Sequence, residues 1–203
     1  MLDRIVGIFI RTAGVLDMAK DPKPHPTLAT GRLVLRQFRI EDTDAMHGYF
    51  GNPEAMRYWH QPVHTKRIET ERTVRSYIDC TPSYYRFWAV ADGETDRCLG
   101  LVTYYDGHIR NKRVSVGYMI DPACQRQGIA TEAVSAMLDF CFGELGLHRA
   151  QAFMRPDNAA SIALIEKLGF RREGLLRDYL RVGEVWRDDV LYGLLGTEWA
   201  RRA

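Results

Sequence analysis

Between residues 87 and 120, three β-patterned runs (87–91, 99–105 and 113–120) follow one another with short connections, and Asp92-Gly93 and Asp106-Gly107 mark two turns. Asp-Gly between alternating apolar runs is a tight-turn signal, so the segment predicts an antiparallel meander. The pattern then changes. A helix is predicted from Gly128 to Phe142, with Ile129, Ala133, Met137 and Cys141 on one stripe, and a strand follows over 149–154. Asp157-Asn158 opens a short helix with Ile162, Ile165 and Leu168 on one face, closed by Gly169 at its C′ position. Strands over 174–181 and 185–194, joined by Val182-Gly183-Glu184, make a last hairpin. Strands, then helix–strand–helix, then a hairpin is an α/β pattern: a mixed sheet with helices on its faces.

Upstream, residues 32–38 alternate as a half-buried strand does. Glu41-Asp42-Thr43-Asp44 supplies N-cap chemistry for a helix through Ala45, Met46, Tyr49 and Phe50, which Asn52-Pro53 ends. A second helix is predicted over 66–78, with Thr81-Pro82 as punctuation. Before all of this, Pro22, Pro24 and Pro26 exclude helix and central strand. The expected organisation is an N-terminal arm and Pro-rich linker over 1–27 and a single domain over 28–203. The arm reads as a short frayed helix or an over-long start, with Met18 as a second initiator, or as a segment that packs on a partner subunit.

Composition excludes several classes. Hydrophobic residues at 46% and charged residues at 27% are ordinary for a globular chain, which sets aside disorder and collagen. No apolar run approaches the roughly 18 residues of a membrane span. Lys+Arg 28 against Asp+Glu 26 leaves +2, too little for a general nucleic-acid footprint, so neither nucleic acid nor membrane is an expected partner. Cys80, Cys98, Cys124 and Cys141 have no metal-ligand spacing and read as buried free thiols, and no metal is expected. The apolar patch at 5–10 is shorter than the roughly 7–15 residues of a secretory core, so the expected setting is cytoplasmic.

The chemistry concentrates in 114–133. A strand ends at Asp121-Pro122, a loop carries Gln125, Arg126, Gln127 and Gly128, and a helix starts at Ile129, Ala130 and Thr131. Glycine lets a ligand approach the main chain, and the first amides of a helix lack internal partners at the positive end of its dipole. Such a turn suits phosphate, with Arg126 adding charge. An ordinary helix start explains a lone glycine equally well. Neither G-x-x-x-x-G-K-[ST] nor G-x-G-x-x-G after a strand occurs, which argues against an NTPase or a dinucleotide dehydrogenase.

About 30 residues on stands N-x-x-S-x-x-L-x-x-K-x-G-F, from Asn158 to Phe170. With the upstream Q-x-x-G-x-A, it resembles the GNAT superfamily of acyl-CoA-dependent N-acetyltransferases. Thr30-Gly31-Arg32-Leu33-Val34-Leu35-Arg36, the run from Asn52 to Trp59, and Trp186-Arg187-Asp188-Asp189-Val190-Leu191-Tyr192 are most similar to its ribosomal-protein N-terminal (alanine) acetyltransferases. The resemblance spans about 28–200. It implies a bent, mixed, mostly antiparallel sheet with helices on both faces, splayed between a fourth strand (114–120) and a fifth (149–154). Acetyl-CoA would lie in that opening as co-substrate. Its pyrophosphate would rest on the amides of Gln125, Arg126, Gln127, Gly128, Ile129 and Ala130, next to Thr131. Its pantetheine arm would pair with the fourth strand at Met119 and Ile120. Asn158 would bond the cofactor or position the reacting centre, and Ser161 would give a proton to the departing thiolate. Capping chemistry also accounts for both residues.

Two departures from the family pattern stand out. Ile165 occupies a position where many members carry a tyrosine acid, and Ser115 one where close relatives often carry a glutamate beside the incoming amine. Near neutral pH roughly 10–20% of an exposed α-amine is already neutral, against less than about 0.1% of lysine. A missing glutamate therefore suits a protein N-terminus better than a lysine. Asp106, His108, His60 and His64 are the alternative bases, and Trp59, Trp88 and Trp186 the candidate pocket walls. Tyr104 and Tyr105 face opposite ways, so only one reaches the cleft. The expected function is acetyl transfer to a primary amine, a protein N-terminus first, by a monomer or homodimer. The alternatives are a polyamine, amino sugar antibiotic or aminoacyl metabolite as acceptor, or a CoA-binding regulator without catalysis.

Overall fold

The computed structural model describes residues 25–80, 85–108 and 110–201. Residues 1–24, and with them most of the expected arm, lie outside that set, as does Thr81-Pro82. Strands β1 (Leu28–Ala29), β2 (Leu33–Arg36), β3 (Arg86–Asp92), β4 (Cys98–His108), β5 (Arg113–Ile120), β6 (Arg149–Met154), β7 (Arg171–Val182) and β8 (Val185–Leu195) form one sheet. Their order is β1-β2-β3-β4-β5-β6-β8-β7. Neighbours are antiparallel except β5 and β6, which run parallel. The mixed, mostly antiparallel sheet is as the pattern predicts. The expected fourth and fifth strands are β5 and β6, because β1 is too short to leave a periodic signal.

Helices α1 (Thr43–Phe50) and α2 (Arg67–Ile78) cover one face, and α3 (Ile129–Asp139) and α4 (Ala159–Lys167) the other. A last turn, α5, spans Gly196–Trp199. Period-two alternation assigns the faces. Ala89, Leu101 and Met119 share a register row and pack under Met46, Tyr49, Phe50, Val74 and Tyr77. The neighbouring row, Trp88, Val102 and Tyr118, faces Ala133, Met137 and Phe140. The α3 stripe is as expected, although the helix proper stops at Asp139 and Phe140–Glu144 continue as a π turn.

Two local expectations are corrected. Residues 32–38 pair only from Leu33 to Arg36, because Asp42 draws the chain away. Its carboxylate accepts from Arg36 at 2.9 Å on both oxygens and from the Arg39 amide at 2.8 Å, so it anchors β2 rather than capping α1. Asp106-Gly107 is not a turn. β4 runs on to His108, with Asp106 in the left-handed region at φ 51 and the register shifted between Tyr105 and His108. A left-handed residue serves a bulge as well as a hairpin turn.

α4 ends as predicted. Gly169 (φ 86) donates to Glu166 O at 2.9 Å and Phe170 to Ile165 O at 3.1 Å, which turns Phe170 into the core. All four cysteines are free; Cys98, Cys124 and Cys141 are buried and Cys80 is half-buried. Among the described residues no helix is long and apolar enough to cross a membrane.

Candidate functional site

β5 and β6 pair at only three positions: Arg113 with Arg149, Val114 with Ala150, and Ser115 with Gln151. Beyond Ser115 both strands continue, β5 to Ile120 and β6 to Met154, without bonding each other. The inner edge of β5 from Val116 to Ile120 therefore presents main-chain donors and acceptors to an opening, the kind of edge an extended amide-bearing ligand completes.

The loop after β5 ends the opening. Asp121 Oδ1 accepts from the Ala123 amide at 2.9 Å, starting a single tight turn over Pro122–Cys124. Arg126 (φ 60) and Gly128 (φ 79) are both left-handed, and Gly128 is the N-cap of α3. A Cβ on Gly128 would meet only Arg32 Nη2, at 3.5 Å, so conformation rather than crowding requires glycine there. The helix's first internal bond runs from the Glu132 amide to Gly128 O at 3.0 Å. The preceding amides of Ile129, Ala130 and Thr131 have no partner within the helix. They fit the acidic end of a nucleotide-bearing ligand by charge and by donor direction.

The side chains around this turn do mixed work. Gln125 Nε2 donates to Ile120 O at 3.1 Å and Gln127 Nε2 to Ala123 O at 3.4 Å, while Arg126 is exposed. Ile129 and Met119 point into opposite cores and can offer a ligand only their main chain; Ile120 is likewise buried. Sequence reasoning missed the brace on the loop. Arg32 donates through both terminal nitrogens to Gln127 O at 3.2 Å and pairs with Glu132 at 2.8 Å, and Glu132 also accepts from the Arg32 amide at 3.2 Å. Burial works against ionisation of Glu132, but the bonds from Thr30 and Arg32 outweigh it and hold its pKa below the usual range. The signal was present in Thr30-Gly31-Arg32, where residue type alone gave no partner.

Across the opening, Asn158 Oδ1 accepts from the Ser161 amide at 3.2 Å, so Asn158 caps α4 as its chemistry allows. Ser161 is half-buried, and its carbonyl accepts from Tyr118 Oη at 3.2 Å. That bond ties β5 to α4 where the strands themselves have separated. Burial pushes the Tyr118 phenol up to about 12, so it stays a proton donor at neutral pH. Ile165 is fully buried in the core.

On the α1/α2 face, the β5 residue at the apex is a serine. Ser115 is buried and accepts from Gln151 Nε2 at 3.1 Å. Tyr105 pairs in register with Ser115 and lies 3.5 Å from where a Gly117 Cβ would be; Tyr104 turns into the opposite core beside Trp88. Phe153 stacks on Tyr179 at 5.1 Å, aimed by a β7 bulge in which Asp178 (φ 48) donates its amide to Asp188 at 2.8 Å. Beside them Arg155 and Asp189 are both buried, with 3.5 Å between Nη1 and Oδ1. Burial raises the Asp189 pKa against the pull of Arg155.

The alternative bases fare unevenly. His64 and His47 both bond Thr70 Oγ1, at 3.0 and 2.8 Å, and hold α1 to α2. His108 takes the Asn111 amide in a turn. Asp106 is exposed at the β4 bulge. His60 is surface-exposed and stacked on Trp59; desolvation on its protein side, then the Arg155 charge, lowers its pKa. Trp88 is fully buried, which removes it as a pocket wall, whereas Trp186 stands 55% exposed on the last hairpin. Among the described residues no group of three or more His, Cys, Asp or Glu is placed to hold a metal.

A family model described as the acetyltransferase (GNAT) domain matches residues 32–171. The chain is 30% identical over 175 residues to the uncharacterised N-acetyltransferase YoaA of Bacillus subtilis, covering 84% of this chain and 97% of that one. It is 26% identical over 184 residues to the [ribosomal protein uS5]-alanine N-acetyltransferase of Escherichia coli, with coverages of 87% and 94%. It is 28% identical over 156 residues to the spermidine N(1)-acetyltransferase of Escherichia coli, with coverages of 77% and 82%. An acetyltransferase (GNAT family) from Bacillus anthracis superposes with a TM-score of 0.78 at 26% identity, over 85% of this chain and 100% of that one. A spermidine N-acetyltransferase from Vibrio cholerae, solved with CoA and spermine, superposes at 0.73 with 23% identity, over 84% and 99%.

Proposed function

The chain belongs to the GNAT acetyltransferase family and is an acetyl-CoA-dependent N-acetyltransferase, and from that premise we propose that its acceptor is the α-amine of a protein N-terminus. One observation carries the choice of amine. The apex of the β5–β6 opening is closed by the neutral Ser115–Gln151 pair, so no strong base stands on β5 to strip a proton from a high-pKa ammonium. An α-amine, with a reference pKa of about 7.7–8.0, reaches its neutral form through water alone.

Acetyl-CoA supplies an activated acyl group: as the amine nitrogen bonds to the acyl carbon, the carbon–sulfur bond breaks, the sulfur takes a proton and the new amide gives one up. The residues 125–130, with Thr131, are assigned to the diphosphate, and the open edge of β5 at Met119 and Ile120 to the pantetheine amides. Asn158 positions the thioester end of the opening. Ser161, one helical turn on, is the proton donor to the thiolate, a role that buried Ile165 cannot fill. A single catalytic domain over 28–203 working in the cytoplasm completes the assignment.

A polyamine is the second reading, favoured by the spermidine N(1)-acetyltransferase relative at 28% identity. Thiol release from acetyl-CoA, followed across a panel of N-terminally free peptides, spermidine and lysine side-chain amines, decides. The proposal expects the highest kcat/KM on a peptide α-amine. A preference for spermidine would replace it with the second reading.

A further inference from the structure

We propose that Arg155 and Asp189 together form the subsite that recognises the α-aminoacyl head of the acceptor, Asp189 accepting a hydrogen bond from the amine and Arg155 donating one to the first carbonyl oxygen. This rests on the reading of the acceptor as a peptide α-amine.

The carboxylate of Asp189 is buried, yet neither oxygen accepts a hydrogen bond among the described residues. Its ion-pair partner there is Arg155, at 3.5 Å and through one nitrogen only. The same protein shows what a closed structural pair looks like: Arg36 grips Asp42 through two nitrogens at 2.9 Å each. A buried carboxylate without donors is costly, and such an atom calls for a donor from outside the chain. Arg155 has donor capacity to spare. Among the described residues its contacts run through Nη1, to Asp188 O at 3.2 Å and loosely to Asp189.

The pair lies on the sheet face that also carries the apex of the opening. On β6, Gln151 and Phe153 share one face, which Arg155 continues one residue past the end of the strand, while Ala150, Ala152 and Met154 go into the α3/α4 core. On β8, Val190 enters that core and Asp189 turns the other way. Asp189 and Arg155 thus stand on the same side as Ser115 and Gln151, Arg155 just past the end of β6 and Asp189 on its neighbour β8. Phe153 and the Tyr179 stacked on it stand beside them, and the Asp189 charge acts on both Tyr105 and Tyr179. An aromatic wall next to a carboxylate that accepts no hydrogen bond among the described residues suits an amine donor.

Spacing supplies the specificity. In an aminoacyl group the amine nitrogen and carbonyl oxygen are separated by two backbone atoms, about 3 Å apart from standard bond lengths. The two unlike charges of the subsite stand 3.5 Å apart. A polyamine offers an amine and no adjacent carbonyl, so it can use only half of the subsite.

The test is steady-state kinetics on the full chain with three acceptors: an alanine-terminated hexapeptide, the same peptide with its first carbonyl reduced to methylene, and spermidine. The wild-type enzyme is expected to lose at least 10-fold in kcat/KM on the reduced peptide. Asp189→Asn is expected to lose at least 100-fold on the intact peptide, and Arg155→Gln to abolish the preference for the intact over the reduced peptide, while CoA affinity is retained. Equal kcat/KM for intact and reduced peptide in the wild type would overturn the subsite without needing any variant to fold. So would peptide activity unaltered in folded Asp189→Asn. A wild-type enzyme that acetylates spermidine and neither peptide would instead sink the acceptor reading.

Discussion

Gln151 Nε2 donates to Ser115 Oγ at 3.1 Å across the last register position that β5 and β6 share. The bond closes the apex of the opening with two neutral, mutually satisfied side chains. It places hydrogen-bonding structure, rather than a proton acceptor, where the strands begin to part. Ser115→Ala is therefore expected to leave kcat/KM on a peptide α-amine within about 3-fold. It should cost about 1 kcal/mol of stability, because a buried amide donor loses its acceptor. Urea denaturation and thiol-release kinetics check both halves, and a 100-fold loss of activity in a well-folded variant would make Ser115 catalytic after all.

Gly128 holds a left-handed N-cap at φ 79, a conformation that costs a side-chain-bearing residue about 1–2 kcal/mol. Gly128→Val should either strain the turn or relax it, and both displace the amides that follow. CoA affinity measured by calorimetry should fall at least 10-fold, with circular dichroism unchanged. Unaltered affinity would remove the diphosphate assignment.

Ser161→Ala should lower kcat on the order of 100-fold, the scale of a lost general acid, while KM for acetyl-CoA changes little. The α4 cap is made by the Ser161 amide and the bridge from Tyr118 by its carbonyl, so both survive the substitution. A variant with wild-type kcat would transfer the donor role elsewhere, and Tyr118 Oη, already at 3.2 Å from the Ser161 carbonyl, is the next group to replace.

Glu132 carries the brace on the loop that leads into α3. Its pKa is held below the ordinary 4.5, so its contribution to stability is present above that value and is lost as pH falls through the folded-state value. Glu132→Gln should lower the melting temperature at pH 7 and weaken CoA binding through the loosened Arg32–Gln127 contact. The difference in melting temperature should shrink at pH values well below 4.5. A difference independent of pH would mean that shape, rather than charge, is what Glu132 supplies.

How much of this could be read from the chain depends on the range of the interactions. The α3 stripe, the Gly169 stop and the Gly128 turn are local, set by residues within a few positions of one another, and all stand as the pattern predicts. Asp106-Gly107 misled because one left-handed residue satisfies a bulge and a turn alike, and only the cross-strand register separates them. Arg32 with Glu132 and Arg155 with Asp189 were invisible for a different reason. Each is an ion pair between distant elements, and a charged residue carries no sign of its partner until the sheet has brought the strands together. The local turns and helices around the candidate site were thus legible and its long-range ion pairs were not.

The most direct measurement is a crystal structure of the chain with acetyl-CoA. The account predicts the diphosphate against the main-chain nitrogens of residues 125–130, the pantetheine arm along the free edge of β5, and the sulfur beside Asn158 and Ser161. A complex with the coenzyme bound outside the β5–β6 opening, or with its diphosphate away from that turn, would contradict it.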